Sequence, residues 1–226
     1  MQGVNNVKRN LAILLGFLTL CLMISVTTPK MEAQAAGPKV TIKKYKDKKE
    51  YQYAVISGAK YKKANAQMLA YTKHVYRVNE KLQKKNKEDL KKGSIPNGMP
   101  YFSVITCSKK FSQSSKVSIF CEKYTYTGGA HGMPYSKTFN FLNGKSMSLK
   151  GAFQSAKSYE DGKTYAKRYI LSHPEKYPFA DSHTSIAGHS FFWTTKGLKV
   201  IFEPYEVSSF ADGFKYVSIS NKYLKN

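Results

Sequence analysis

The first candidate for a catalytic or binding residue in this chain is a single histidine that lies among glycines. Residues 126–132 read YTGGAHG, so His131 follows Gly128, Gly129 and Ala130 and precedes Gly132. Consecutive glycines supply positive φ angles or let another backbone approach closely, which predicts a sharp structural corner in which His131 hydrogen-bonds a neighbouring carbonyl. The alternative is a ligand site at His131. We favour the corner, because an esterase-like oxyanion turn would need a G-x-S-x-G nucleophile elbow, and the sequence contains none.

Most of the other histidines fall in one long loop near the carboxyl end. The candidates for metal binding or proton transfer are His173, Asp181, His183, His189, Glu203 and Glu206. Their spacing matches neither H-E-x-x-H nor C-x-x-C, so we predict solvated loop histidines and no catalytic residue, metal or cofactor. His183 and Tyr135 are retained as a possible ligand surface.

Two cysteines are placed to form a cross-link. Cys107 and Cys121 lie in strand-like segments, and each is seven residues from Ser114. A hairpin centred on Ser114 sets the two residues directly opposite each other, at a Cβ separation of about 4.5–5.5 Å that a disulfide tolerates. We predict this disulfide, with a pair of buried thiols as the alternative.

The amino-terminal segment has the pattern of a secretory signal peptide. Lys8 and Arg9 precede an apolar run over residues 11–26, and Ala33 and Ala35 form an A-x-A ending. We predict a signal peptide over residues 1–36 with cleavage after Ala35 or Ala36, and a secreted or cell-wall-associated protein. An uncleaved amino-terminal anchor is the alternative.

The charge balance predicts a polyanionic partner. The net charge is +23, and removal of the predicted signal peptide takes away three cations and one carboxylate, which leaves +21. Only Arg9, Arg77 and Arg168 are arginines, and lysines act as point charges rather than as forks that read bases. We therefore expect a monomer that adheres to anionic cell-wall polymer or peptidoglycan, without specific nucleic-acid binding or membrane attachment after cleavage. The alternative is that the charge only keeps the protein soluble.

Hydrophobic periodicity predicts an α+β fold with a mainly antiparallel sheet, one long helix and one shorter helix. A basic arm or edge strand covers residues 37–49, and a strand follows over residues 51–58. The long helix carries an apolar stripe, Ala64, Met68, Tyr71, Val75, Val78 and Leu82, and its lysine-rich tail is expected to be solvated. Further predictions are a hairpin turn at Asn143-Gly144, a helix near residues 160–172 with Tyr165, Tyr169 and Ile170 on one side, and a turn at Lys196-Gly197.

Three segments together resemble a known extracellular domain of unknown function. They are YTYTGGAHG, FNFLNGKSMSLKGAF and GLKVIFEPYEVSSFADGFKYVSIS, and the motif positions are Tyr126, Gly128, Gly129, Ala130, His131, Gly132, Pro204, Tyr205, Glu206 and Gly213. This combination is similar to the domain shared by the anti-sigma factor RsiV and the peptidoglycan deacetylase PdaC. The resemblance implies one α+β domain over residues 50–226 on the outer side of the cell envelope.

The resemblance does not imply one activity. We see no sigma-binding segment before the apolar run and no catalytic domain after Asn226, so neither anti-sigma nor deacetylase activity of those relatives is expected. The favoured interpretation is a non-enzymatic envelope-binding protein. The alternatives are a module that captures a hydrolase such as lysozyme, and a small secreted enzyme acting on peptidoglycan.

Overall fold

A computed structural model describes residues 35–95 and 100–225, and within them the fold is built on two sheets. The larger sheet has the strand order of the sequence. Its strands are β1 Val40–Tyr45, β2 Lys48–Ile56, β3 Phe102–Gln113, β4 Lys116–Tyr126, β5 Met133–Leu142 and β6 Lys145–Ser146. All neighbours are antiparallel except β2 and β3, which run parallel because the long helix connects them.

The long helix, α1 Lys62–Lys91, covers one face of this sheet. Ala64, Met68 and Val75 of the predicted stripe are buried, whereas Tyr71 and the more carboxyl-terminal stripe residues are half-buried. The predicted solvated tail was wrong in part. Asn86 is buried, and its Oδ1 accepts a hydrogen bond from the backbone N–H of Tyr101 at 3.0 Å. The helix therefore stays attached to the sheet close to its last turn.

The smaller sheet has a core of its own. It consists of β7 Phe191–Thr194, β8 Gly197–Phe202 and β9 Lys215–Ser220, and it packs with the shorter helix, α2 Ala156–Leu171. The α+β fold with its two helices is thereby confirmed. The predicted face of α2 was wrong in part: Ile170 is buried and Tyr169 packs against the core, whereas Tyr165 is 38% exposed. The other buried residues of the helix are Tyr159, Gly162 and Ala166.

A buried polar network joins the two sheets. The Ser118 hydroxyl of β4 donates to Asn140 Oδ1 at 2.6 Å and accepts the Trp193 N–H of β7 at 2.8 Å. Asn140 Nδ2 of β5 then donates to the Phe191 carbonyl at 2.7 Å. Each of these buried groups would be costly if left unpaired, so the network fixes β7 against β4 and β5.

The cysteine hairpin forms as predicted, but its turn position and its strand register differ from those expected from the sequence. Cys107 pairs with Cys121 across β3 and β4, their Cα atoms are 4.1 Å apart, and a disulfide joins them. The turn is made by Ser114 and Ser115, so its centre lies half a residue beyond Ser114. An irregularity between Lys109 and Phe111 restores the register that brings the cysteines opposite each other.

Three smaller predictions can be compared with the structure residue by residue. The arm over residues 37–49 contains β1 and the start of β2, so it takes the edge-strand alternative, and the expected domain start at residue 50 falls inside β2. The turn at Asn143-Gly144 is present, with φ angles of 53° and 79°. The turn at Lys196-Gly197 is displaced by one residue, because Thr194 pairs with Gly197 and leaves Thr195 and Lys196 as the turn.

The amino-terminal predictions lie mostly outside the described residues. Residues 1–34 of the predicted signal peptide are among these, whereas Ala35 and Ala36 are described, and Ala36 pairs with Gln113 as an isolated bridge. Across residues 35–95 and 100–225, no helix has the length and apolar character needed to span a bilayer. The residues from 35 onward belong to one compact unit.

Candidate functional site

The glycine corner, residues 128–132, lies between β4 and β5 and depends on backbone freedom. Gly128 and Gly129 have φ angles of 102° and 91°, which L-residues with a side chain rarely adopt. Gly132 has a different requirement, since a Cβ built on it would lie 2.5 Å from the Thr125 carbonyl oxygen. The Tyr124 hydroxyl accepts the Gly132 N–H at 2.9 Å, and the Tyr126 hydroxyl donates to the Gly129 carbonyl at 2.9 Å.

His131 connects this corner with the second part of the motif. Its ring stacks on Phe210 with centroids 3.7 Å apart. Nδ1 lies 2.9 Å from the Gly132 carbonyl, which can only accept, so Nδ1 carries the proton. In the neutral ring Nε2 then accepts from the Tyr205 hydroxyl at 3.2 Å. His131 therefore bonds a neighbouring carbonyl, as the corner interpretation expects, and also holds a residue 74 positions away.

The Pro-Tyr-Glu segment, residues 204–206, leaves β8 in a strained conformation. Tyr205 has a φ of 72°, and its side chain is half-exposed. Glu203, just before the segment, accepts hydrogen bonds from the backbone N–H of Ser136 at 2.9 Å and from the Ser136 hydroxyl at 2.6 Å. Burial raises the pKa of Glu203 above its ordinary value despite these bonds. The segment is thus fixed to β5 on one side and to His131 on the other.

Glu206 continues this chain of contacts into the histidine loop. His189 Nε2 lies 3.3 Å from Glu206 Oε1, and His189 Nδ1 lies 3.2 Å from the Ala187 carbonyl. Both ring nitrogens face acceptors, an arrangement that favours the imidazolium form. Burial lowers the pKa of His189, but its contacts with Glu206 and Ala187 outweigh burial and raise it overall. For Glu206, burial raises the pKa, because it disfavours the charged carboxylate. The hydrogen bonds from the His189 ring and the Glu203 N–H outweigh burial and lower the pKa of Glu206 overall.

The loop and the Pro-Tyr-Glu segment line an open cleft of about 410 Å³, which we call the central cleft. Its lining combines exposed and buried rings with carboxylates, histidines and hydroxyls. The lining residues are Phe179, Asp181, His183, Thr184, Ser185, Ala187, His189, Phe202, Glu206 and Val207. Such a surface can stack against a ring and exchange several hydrogen bonds, while its strongest acid and base candidates, Glu206 and His189, are already paired with each other.

The structure brings together some of the residues that the sequence singled out and separates others. Asp181, His183, His189 and Glu206 share the central cleft. His173 is outside its lining and stacks on Tyr169 at 4.1 Å, at the end of α2. Tyr135 is also outside it: its ring is 43% exposed and lies 4.4 Å from Lys123 Nζ. Among the described residues, no three His, Cys, Asp or Glu side chains are grouped as a metal site.

Sequence reasoning missed Phe179, Phe210 and Ser136. Phe179 is 52% exposed at the central cleft, an unusual position for a large apolar ring, and Phe210 carries the His131 stack. Ser136 anchors Glu203 from a strand whose residues looked purely structural. An isolated phenylalanine or serine in a loop or strand gives no signal of its role until distant segments are in place.

The α+β fold of this chain is similar to that of a solved bacterial structure. A member of the DUF3298 family from Bacteroides fragilis NCTC 9343 has a similar crystal structure, with a TM-score of 0.53, 15% identity, and coverage of 85% of this chain and 93% of that one. A DUF3298 family protein from Pseudomonas aeruginosa PAO1 gives a TM-score of 0.48, 14% identity, and coverage of 85% and 94%. No curated protein matches the chain.

The chain belongs to the PdaC family. The family model described as "Deacetylase PdaC" matches residues 21–134, half of the chain, and so confirms the resemblance carried by the motifs. The matched range includes the glycine corner and ends before the Pro-Tyr-Glu segment and the central cleft.

Proposed function

We propose that this protein is a secreted, non-enzymatic envelope protein that adheres to anionic cell-wall polymer. The observation that carries the proposal is the distribution of charge along the fold. Residues 36–155, which form the larger sheet and α1, contain 24 cations and 6 carboxylates, a net of +18. Residues 156–226, which form α2 and the smaller sheet, contain 10 cations and 7 carboxylates, a net of +3. A polyanion would therefore be attracted to one half of the molecule.

The lysines of this half are available for such contacts. Among the described residues, only Lys85, Lys157, Lys163 and Lys215 lie within 4.0 Å of a carboxylate. The most concentrated group is the basic hairpin surface, which we define as Lys43, Lys44, Lys46, Lys48 and Lys49 of the β1–β2 hairpin. All five side chains are exposed.

Aromatic rings support the tip of this surface. Lys46 Nζ lies 4.5 Å from the centroid of the Tyr76 ring of α1, and Tyr76 packs edge-on against Tyr45 and Tyr51. The hairpin tip is thereby held on α1, where Lys73 Nζ lies 6.0 Å from the Tyr45 ring. An alternative role for the lysines is to stop β1, an edge strand, from pairing with other chains.

Adhesion through point charges should be strongly sensitive to salt. The Debye length falls from about 10 Å at 0.1 M to about 3 Å at 1 M ionic strength, so binding to isolated cell walls should weaken steeply across that range. Binding should also fall when the anionic polymer is stripped from the wall and peptidoglycan is left intact. Salt-resistant binding to stripped walls would overturn the proposal.

A matched pair of triple variants separates a specific surface from net charge alone. Lys43→Glu, Lys44→Glu and Lys49→Glu change the basic hairpin surface, whereas Lys176→Glu, Lys196→Glu and Lys199→Glu make the same charge change at exposed sites in the other half. We expect the first variant to lose most of its wall binding in co-sedimentation and the second to retain it. Equal losses would refute the role of the hairpin.

A further inference from the structure

The central cleft has two smaller cavities beside it along the same loop. One of about 250 Å³ shares the His183-Thr184-Ser185 segment with it and is also lined by Lys163 and Lys167. The other, of about 290 Å³, shares His189 and is also lined by Lys150 and Tyr159. Of these three, the central cleft alone reaches the usual size of a small-molecule site, roughly 300–1,000 Å³. The three cavities share lining residues along one loop, and we refer to them together as the groove.

The groove differs in charge from the surface that we assign to polymer adhesion. Lys150, Lys163 and Lys167 line its ends, and Glu160, Asp181 and Glu206 also line it. Lysines and carboxylates are therefore equal in number here, three of each, in a protein with a net charge of +23, and His189 is already paired with Glu206. A polyanion gains little in such a groove, so its occupant should be uncharged.

Two groups in the central cleft are open to a ligand. Phe179 is 52% exposed, while its backbone N–H donates to the Val207 carbonyl at 3.1 Å and fixes its position. Asp181 receives the N–H groups of His183 and Thr184 on Oδ1, at 2.9 and 3.1 Å, which leaves Oδ2 as the oxygen that can accept from a ligand. Exposed aromatic faces pack on the C–H faces of sugar rings, and carboxylate oxygens accept sugar hydroxyls.

The far wall of the central cleft is rigidly placed. Glu206 is held by His189 and by the Glu203 N–H, and Glu203 is held in turn by Ser136 of β5. A wall fixed by hydrogen bonds costs little ordering when a ligand enters. This wall of the cleft therefore has little conformational freedom to lose on binding.

We infer that the groove binds an uncharged oligosaccharide, with one ring stacked on Phe179 and its hydroxyl or amide hydrogens donated to Asp181. This goes beyond polymer adhesion and uses mainly the other half of the molecule, to which the first half adds Lys150 and its neighbours at one end. An extended peptide is the competing occupant, and we favour the sugar because the cleft offers side-chain acceptors and an open ring.

The test uses the protein without its signal peptide and two neutral ligand series of two to six units, made of glucose or of N-acetylglucosamine. Calorimetry at about 0.1 M and 1 M salt should give the same affinity, because an uncharged ligand is not screened. Affinity should rise with length as the neighbouring cavities fill. A higher affinity for the N-acetylglucosamine series would show that the acetamido group contributes to binding. Equal affinities for the two series would show that the sugar ring and its hydroxyls are sufficient.

Two variants address the stated contacts. Phe179→Ala should weaken binding about five- to tenfold, whereas Leu171→Ala, which removes another exposed apolar side chain outside the lining, should leave it unchanged. Asp181→Asn keeps an oxygen for the loop N–H groups and loses the free carboxylate acceptor, so it should also weaken binding with only a small decrease in the thermal midpoint.

The inference and the adhesion proposal can fail separately. The Lys43, Lys44 and Lys49 variant should keep its sugar affinity, and Phe179→Ala should keep its wall binding. No heat or spectral change with either sugar series at millimolar concentration, equal affinity of Phe179→Ala and the parent protein, or binding of an uncharged peptide library in place of the sugars would overturn the inference.

Discussion

Gly132→Ala is the substitution that most directly tests how the corner is built. The added Cβ would lie 2.5 Å from the Thr125 carbonyl oxygen and 2.6 Å from Tyr124 Cε1, where ordinary contacts begin at 3.4 Å. The carbonyl belongs to the backbone of β4 and cannot move aside by a change of rotamer. The strand and the corner must therefore separate by nearly an ångström.

The expected cost follows from two effects. Overpacking of a tight contact typically costs about 1–3 kcal/mol, and separation also weakens the bond from the Gly132 N–H to the Tyr124 hydroxyl, worth about 0.5–1.5 kcal/mol. We expect the free energy of unfolding to fall by about 2–4 kcal/mol. A domain of this size has a total stability of roughly 5–15 kcal/mol, so the loss would be large.

Two other glycine variants provide matched controls. Gly129 in the corner and Gly93 after α1 have φ angles of 91° and 65°, and neither would place a Cβ within 4 Å of another atom. Gly129→Ala and Gly93→Ala should each cost only about 1–2 kcal/mol, from the left-handed backbone alone. Gly129→Val should cost more, because β-branched residues tolerate positive φ poorly.

Urea unfolding followed by circular dichroism would measure all four variants, and His131→Ala belongs in the same series. Loss of the Phe210 stack and the Tyr205 bond should lower stability by about 1–2 kcal/mol while wall binding is retained. The structural reasoning fails if Gly132→Ala remains within about 0.5 kcal/mol of the parent protein, the ordinary range for surface changes. If His131→Ala removes binding and leaves stability unchanged, the corner is a ligand site.

Three further predictions concern the cross-link, pH and export. Replacing Cys107 and Cys121 together by alanine should lower the free energy of unfolding by about 3 kcal/mol, and non-reducing peptide mapping of the parent should find them joined; two freely alkylatable thiols would contradict this. The raised pKa of His189 means that its stabilising contact with Glu206 is fully present below the ordinary histidine pKa of 6.5 and is lost as pH rises through the folded-state value; the lowered pKa of Glu206 keeps its part down to below 4.5. His189→Gln should therefore reduce the thermal midpoint most between about pH 4.5 and 6.5, and an equal reduction at pH 8 would contradict the pairing. Intact mass of protein from the culture should begin at Ala36 or Gly37, and a retained Met1 with membrane anchorage would exclude cleavage.

The sequence was most informative where one local pattern decides the structure. The alternation around the cysteines, the Asn143-Gly144 turn and the stripe beginning at Ala64 each need only neighbouring residues, and each was found. The cysteine pairing also shows the limit of such reasoning. The symmetry about Ser114 was correct for the cysteines only because a bulge near Lys110 offsets a turn centred beyond Ser114.

Predictions failed where tertiary contacts decide the outcome. The predicted face of α2 was wrong at Tyr165 and omitted Gly162, because a glycine gives no hydrophobic signal. Gly162 is in fact the point of closest approach, where a Cβ would lie 2.4 Å from the Phe153 ring. Asn86 looked solvated among lysines, and only its contact with Tyr101, across a chain reversal, makes it a buried partner. Hydrophobic periodicity within one helix cannot predict either of these contacts.

The glycine corner is structural, but its contacts also lead to the central cleft. The glycines let the chain reverse so that His131 stacks on Phe210 and bonds Tyr205. Tyr205 adjoins Glu206, which forms a wall of the central cleft and pairs with His189. A residue can thus be structural in its own contacts and still set the geometry of a distant surface. This is why the motif could be recognised in the sequence while the cleft that it supports could not: the motif is local, whereas the cleft needs segments around residues 131, 181 and 206 at the same place.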